Sequence, residues 1–137
     1  MSSLGKKKEA AEYEKRAKAY RNVWCDSVQW FRARVKGGGW LPWRGRTAQD
    51  QGTTESNPFQ QGWFVPHDID GMKALMGGQK KFDAELEEFF ANVPEDFLWN
   101  DYYNHPNEPN HHVPFLFNYS SCPWLTQKWT RKICDKA

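Results

Sequence analysis

The sequence has no long hydrophobic run. None of its apolar stretches approaches the roughly 20 residues that a bilayer-crossing helix needs. The first residues lead through Lys6, Lys7 and Lys8 into a charged segment, without the apolar core of a signal peptide. We therefore expect no membrane span, no membrane partner and no export signal in this chain, and the compartment is left open.

Cysteines are few, and their spacing fits no common metal or redox motif. The three thiols, Cys25, Cys122 and Cys134, form no C-x-x-C pair, and their odd number leaves at least one of them unpaired. His111 and His112 are adjacent and do not have the H-E-x-x-H spacing of a zinc site. The sequence therefore predicts no metal centre from the residues alone and does not identify the redox compartment.

A strong charge of either sign is also lacking. The chain has 19 basic and 17 acidic residues, so the net charge is +2 and the pI is about 8.4. Such an excess is too small to indicate a phosphate-rich partner. Basic and aromatic residues alternate over residues 128–132, but a solvated helix face explains that pattern equally well. The sequence predicts no nucleic-acid partner.

Aromatic residues, in contrast, are abundant. Eight Trp, nine Phe and five Tyr make up 16% of the 137 residues. Most of these rings are expected to fill a core, since large rings bury much apolar area. Some have a second possible role, because the flat C–H face of a sugar packs well on indole. The candidate platforms are Trp40, Trp43, Trp63, Trp99 and Trp124.

Apolar spacing predicts helices in the first two thirds of the chain. Residues 7–24 carry apolar side chains every three or four positions, without Gly or Pro. Asp68 is suited to cap a second helix, which Gly77–Gly78 would end, and the next helix would stop before Pro94. The helix capped by Asp68 and the helix that stops before Pro94 are predicted to form a hairpin across the glycine pair.

Two further helices are predicted near the C-terminus, over residues 110–119 and 123–133. No segment shows the alternation that is typical of a strand. Long loops are expected at 37–58 and 99–109. The predicted fold class is all-α, with consecutive helical hairpins and long aromatic-rich loops, in one domain of 137 residues.

The second loop carries the densest group of reactive side chains, and Glu108 is the candidate acid within it. Pro109 fixes the backbone after Glu108, and His111 and His112 follow within one helical turn. A carboxyl group held in one orientation suits a proton donor. The alternative is a carboxylate in the first turn of a helix, which the helix dipole favours.

Residues 107–127, which read NEPNHHVPFLFNYSSCPWLTQ, resemble the signature of glycoside hydrolase family 92, the calcium-dependent exo-acting α-mannosidases. A second block, GWFVPHD at 62–68 with Gly71 and LMGG at 75–78, resembles the same family in the same order. Weaker similarity at 20–23 and 40–43 extends the match to about 20–137, leaving residues 1–19 as the start of a charged helix.

The resemblance implies a fold and a cofactor. The family fold is an (α/α)6 toroid, preceded by a β-sandwich domain, and calcium helps to bind and distort the mannose. Five or six helices are predicted here against the twelve of such a toroid. We therefore expect an incomplete toroid, a partial catalytic domain, with most calcium ligands outside this chain and the metal ligands within it unknown.

The resemblance also implies an activity and its residues. It assigns Glu108 as the general acid of an inverting hydrolysis of terminal α-linked mannose, with α-1,2 linkages of N-glycans as the expected substrate. The family's general base lies beyond the matching stretch, so this chain alone is expected to be inactive. The implied substrate-binding residues are Trp63, His67, Asp68, His111, His112 and Trp124.

Several alternatives stay open. Asp68 with His67 as its hydrogen-bond partner would explain that pair without a substrate, and His111 and His112 are either packing residues or sugar contacts. The chain as a whole could instead be a non-catalytic carbohydrate-binding remnant or a helical interaction module. Its apolar helix faces are expected to favour self-association.

Overall fold

The computed structural model describes residues 2–137 and is mostly helical. Its α-helices are α1 (Lys7–Ala17), α2 (Pro58–Gln61), α3 (Ile69–Met76), α4 (Gln79–Ala91) and α5 (Trp124–Lys136). Short 3₁₀ helices cover Ser2–Leu4, Ala19–Val23, Glu108–Asn110 and Val113–Tyr119. Among the described residues, no helix has the length and apolar character needed to cross a membrane.

A small β-hairpin interrupts the helices. Strands β1 (Trp24–Cys25) and β2 (Trp30–Phe31) pair antiparallel, with Trp24 opposite Phe31 and Cys25 opposite Trp30. The expectation of a chain without strands is therefore wrong at this point. Two residues per strand are too few to show the alternation by which a strand is recognised.

The hairpin of α3 and α4 was predicted correctly. The Asp68 carboxylate accepts a hydrogen bond from the backbone N–H of Gly71 at 3.1 Å and so caps α3. Gly77 ends this helix with φ of 93°, a left-handed conformation that residues with a Cβ rarely adopt. The apolar face of α4 is buried as expected, through Phe82, Leu86, Phe89 and Phe90.

The predicted first helix is too long. It ends at Ala17, and a tighter 3₁₀ turn over Ala19–Val23 replaces its last part. The turn brings Lys18 and Tyr20 to the carboxylate of Asp68, at 3.1 and 2.7 Å, and Arg21 to 3.5 Å. These contacts to a residue 50 positions away were not visible in the local spacing, and they favour the turn over a continued helix.

The core is built largely from aromatic rings, as expected from the composition. Trp30 lies edge-on to Phe59 and Trp63, with ring centroids 5.3 and 5.4 Å apart, and its indole N–H donates to the carbonyl of Pro58 at 2.7 Å. Edge-to-face contacts of this kind add to the stabilisation from buried area. The buried rings are Trp24, Trp30, Phe59, Trp63, Phe82, Phe89, Phe90, Phe97, Tyr103 and Phe117.

The long loop over residues 37–58 is tied to the helices. The Arg46 guanidinium forms ion pairs with Glu85 and Glu88 on α4 and lies 3.9 Å from the centre of the Phe59 ring. Within the loop, the buried Gln51 side chain accepts from the Arg44 N–H at 2.7 Å. The loop is therefore attached to α4 and α2 through Arg46 and is a fixed part of the structure.

The C-terminal part differs from the prediction in its first half. A 3₁₀ helix over Val113–Tyr119, with Pro114 in its first turn, replaces the expected α-helix of residues 110–119. The second helix is confirmed as α5, which begins after Pro123. The two elements pack together but leave three large side chains exposed: Phe115, Tyr119 and Trp124.

Candidate active site

Glu108 opens a short 3₁₀ turn, Glu108–Asn110, with Pro109 at its second position. The backbone N–H of His111 donates to the carbonyl of Glu108 at 3.0 Å and closes the turn. The proline ring fixes φ at the residue that follows the acid. As a result, the backbone of Glu108 is constrained on its C-terminal side, while its side chain is exposed.

Three buried asparagines, Asn104, Asn107 and Asn110, stabilise this turn through hydrogen bonds. The N–H of Asn107 donates to the carbonyl of Asn104 at 3.2 Å, and that of Asn110 donates to Asn107 at 3.0 Å. The Asn107 side chain donates to the Glu55 carbonyl at 3.1 Å, which ties the turn to the long loop. The supporting role of these asparagines was not predicted, although their three-residue spacing is visible as Asn104-x-x-Asn107-x-x-Asn110.

His111 is stacked on another histidine, His105, with ring centroids 4.7 Å apart and planes 27° apart. Its Nε2 lies 2.8 Å from the His105 carbonyl oxygen, and His105 Nδ1 lies 2.8 Å from the hydroxyl of Tyr103. Burial lowers the pKa of His105 below its ordinary value, and the positive charge that His111 carries when protonated lowers it further. His105 was not among the predicted site residues.

His112 and Trp63 are in contact, but not in the way expected of a sugar site. His112 Nε2 donates to the backbone carbonyl of Trp63 at 2.9 Å, and its ring meets Phe64 edge-on at 5.5 Å. The Trp63 side chain is 0% exposed, and its indole N–H has no partner among residues 2–137. A buried ring has no free face, so the expectation that Trp63 is a stacking platform does not fit the structure.

His67 and Asp68 are occupied by contacts within the fold. His67 Nε2 donates to the Ala17 carbonyl at 2.8 Å, and its ring meets Tyr20 edge-on. Hydrogen bonds from Tyr20 and then Lys18 lower the pKa of Asp68 to about 2. The structure therefore places this pair beside α1 and not in the Glu108 turn. It confirms Asp68 as a helix cap, but the hydrogen-bond partner of His67 is the Ala17 carbonyl and not Asp68.

Trp124 is the most open of the predicted sugar contacts. Its side chain is 61% exposed at the start of α5. Its ring is thus available to a ligand, and no hydrogen bond or ring contact among residues 2–137 joins it to the Glu108 turn.

A cavity of about 550 Å³, lined mostly by Asn, Gln, Asp and Glu residues, adjoins the Glu108 turn through Glu55. Trp99 stands at its edge with 69% of its side chain exposed, and the Gln49 side chain reaches the Asp101 carboxylate at 3.4 Å. Asn104 presents a buried side-chain oxygen that has no hydrogen-bond partner among the described residues. The lining residues are Gln49, Glu55, Gln60, Trp99, Asn100, Asp101 and Asn104.

The wall of this cavity is fixed by buried amides of α2. The Gln60 side chain donates to the carbonyls of Asn100 and Tyr102, both at 2.7 Å. Asn57, the cap of α2, donates to the Asp101 carbonyl at 2.9 Å. Glu55 and Asp101 were not among the predicted site residues, because they come to line one cavity only through these contacts across about 40 positions of the chain.

Comparison with known proteins identifies the family of this chain. The family model described as the glycosyl hydrolase family 92 catalytic domain matches residues 1–137. A solved family GH92 α-mannosidase from Bacteroides thetaiotaomicron is 32% identical, with a TM-score of 0.85 over 98% of this chain and 18% of that one. A structure of the same enzyme in complex with mannoimidazole gives 30% identity and a TM-score of 0.81, over 98% of this chain and 20% of that one.

A curated relative from Arthroderma benhamiae, described as an uncharacterized secreted glycosidase, is 34% identical over 82 residues. That match covers 60% of this chain and 10% of the relative. The chain thus spans a fifth or less of the length of the proteins that it matches. The predicted resemblance is confirmed: this chain belongs to glycosyl hydrolase family 92.

Proposed function

We propose that this chain forms part of a catalytic domain that hydrolyses terminal α-linked mannose, with Glu108 as the general acid. The observation that carries the proposal is the exposed Glu108 carboxyl on a backbone-constrained turn, next to a cavity lined mostly by Asn, Gln, Asp and Glu residues. Cavities of about 300–1,000 Å³ accept small ligands, and this one has the size for a hexose. The likeness to a solved α-mannosidase supports the assignment.

The proposed reaction proceeds with inversion. Glu108 protonates the oxygen of the leaving sugar, while a second carboxylate, roughly 6.5–9.5 Å away, activates water on the opposite face. We assign the base to the part of the catalytic domain outside these 137 residues, so the chain alone is inactive. The proposed substrate is an α-1,2-linked mannose of N-glycans.

The exposure of Glu108 is a second reason to expect that the rest of the catalytic domain completes the site. A general acid needs its protonated form, and burial of a carboxyl group favours that form, yet Glu108 is exposed in this chain. The remaining four fifths of a family member offer the surface that would cover it. The bound sugar and the rest of the domain would then complete a site that these residues only begin.

Within the cavity, the residues divide into hydrogen-bonding groups and a ring. Glu55, Asp101 and the unpartnered oxygen of Asn104 are acceptors for sugar hydroxyls. Trp99 offers an exposed indole face at the rim. Of the sites predicted from sequence, His111, His112 and Trp124 stay proposed substrate contacts.

Calcium does not fit this chain alone. Among the described residues, no three or more His, Cys, Asp and Glu side chains lie together as a metal site. Calcium takes six to eight oxygen ligands. If the whole enzyme uses it, most ligands would therefore come from elsewhere in the domain.

We expect that adding calcium or a chelator leaves the melting temperature of the 137-residue chain unchanged. A ligand present at 100 times its Kd stabilises a folded chain by about 2.7 kcal/mol, which a thermal unfolding scan detects easily. Magnesium at the same ionic strength is the control. A rise in melting temperature with calcium but not with magnesium would place a complete site within this chain.

The proposed function is tested by mannoimidazole, which combines a mannose-like ring with a basic nitrogen for a proton donor. We expect the chain to bind it in calorimetry, to bind the gluco-configured analogue more weakly, and not to hydrolyse α-1,2-mannobiose. Binding with turnover would show that the chain holds its own base. No binding would favour the alternative of a helical interaction module.

The same samples test the exposed apolar faces. We propose that Phe115 and Tyr119 are covered by the rest of the domain in the whole enzyme, and by self-association in the isolated chain. Sedimentation across the concentrations used for calorimetry should then show a mass that rises with concentration.

A further inference from the structure

The histidine pair beside Glu108 connects the acid turn to the core. Tyr103 is fully buried and is stacked on Phe90 with ring centroids 4.8 Å apart, so its hydroxyl has a fixed position. That hydroxyl lies 2.8 Å from Nδ1 of His105, whose backbone N–H donates to Phe97 at 3.0 Å. Both the ring and the backbone of His105 are therefore held from the core side.

His111 continues this connection to Glu108. A carbonyl only accepts, so the 2.8 Å contact of His111 Nε2 with the His105 carbonyl requires a hydrogen on Nε2. The backbone N–H of the same residue donates to the carbonyl of Glu108. One residue thus binds His105 with its side chain and the acid turn with its backbone.

We propose that His105 and His111 are positioning residues, a stacked pair that transmits the fixed position of Tyr103 to the Glu108 turn. The inference rests on the proposed role of Glu108 as the acid. Neither imidazole is assigned to the reacting atoms. The pair sets the place from which the Glu108 carboxyl reaches the leaving oxygen.

The arrangement also limits the charge that the pair carries. Tyr103 and His111 are the titratable groups among residues 2–137 that contact His105 by a hydrogen bond or a ring face. Burial raises the pKa of Tyr103, so its hydroxyl keeps its proton and donates to the unprotonated Nδ1 of His105. Protonation of both imidazoles would place two cations face to face and take this acceptor away from Tyr103.

The test is an NMR titration of the histidines and backbone amides in the 137-residue chain. We expect His105 to titrate below about 6.5 in the wild type and to move toward that value in His111→Phe, which keeps a ring but removes the charge. The amides of Glu108 and His111 should shift with the same midpoint as His105. His67→Phe is the matched control, because His67 also donates to a carbonyl but lies beside α1.

A second variant covers the case in which His111→Phe fails to fold. Tyr103→Phe keeps the buried ring, removes the hydroxyl, and should raise the midpoint of His105. Amides of the Glu108 turn that do not follow His105 in the wild type and in Tyr103→Phe, both of which keep the His111 contact, would overturn the proposal. A failure of the proposed function gives a different result. Mannoimidazole would then bind neither the wild type nor the variants, while the amides of the Glu108 turn would still titrate together with His105.

Discussion

Replacing Glu108 by glutamine is expected to lower kcat for an unactivated α-mannoside by about 10²–10⁴-fold, the usual contribution of a positioned general acid. Glutamine has nearly the same shape but no proton to give to the leaving oxygen. The assay needs a complete catalytic domain. We would insert this chain in place of the matching segment of the Bacteroides α-mannosidase, whose backbone is similar at a TM-score of 0.85.

The leaving group distinguishes proton donation from other roles. Fluoride and dinitrophenolate leave a mannoside without needing a proton. Glu108→Gln should therefore slow the hydrolysis of an α-mannosyl fluoride or a dinitrophenyl mannoside far less than that of mannobiose. The basic limb of the pH profile should also disappear, since it reports loss of the acid's proton. An equal loss on both kinds of substrate would show that Glu108 is not the proton donor.

A matched control separates this effect from the loss of one negative charge. Glu87 is exposed on α4, and Glu87→Gln makes the same chemical change outside the candidate site. It should leave kcat unchanged for both substrates. The hybrid that carries the unchanged chain sets the reference rate, so a poorly assembled hybrid is recognised before any variant is compared.

The sequence predicted well where the information is local. The cap at Asp68, the stop at Gly77 and the buried face of α4 all depend on residues within a few positions of one another. The motif around Glu108 is of the same kind, since Pro109 acts on the neighbouring backbone. Such features need no knowledge of the distant chain.

Predictions were weaker where the partner lies far away in the sequence. From the sequence, Trp63 fits a core position and a sugar-stacking platform equally well. Only its contacts with Trp30, Phe82 and Phe89 show that it is buried. His105 gained a role only through Tyr103 and His111, and Glu55 only through Asn107. Residue type fixes the chemistry that a side chain can perform, while the fold decides whether it is available.

Asp68→Asn is expected to destabilise the chain at neutral pH by roughly 1–2 kcal/mol, a value reduced for the solvent screening of its partly exposed cationic partners. The asparagine oxygen still caps α3, but its amide group then meets Lys18 and Tyr20, where the carboxylate accepted hydrogen bonds. The variant thus weakens the attachment of α3 to the segment after α1 without removing the cap, and it leaves the hydrogen bond between His67 and the Ala17 carbonyl in place. Urea unfolding at neutral pH measures the loss.

The pH dependence identifies the carboxylate as the cause. The folded chain holds the pKa of Asp68 at about 2, below its ordinary 3.8, so its contribution is complete above 3.8 and is lost as the pH falls toward 2. The wild type and Asp68→Asn should therefore differ at pH 6 and converge near pH 2. Asp70→Asn is the control, because Asp70 lies exposed in the first turn of the same helix and shares its dipole. If Asp70→Asn costs as much as Asp68→Asn, the helix dipole and not the contacts with Lys18, Tyr20 and Arg21 explains the stabilisation, and the attachment of α3 to the segment after α1 contributes little.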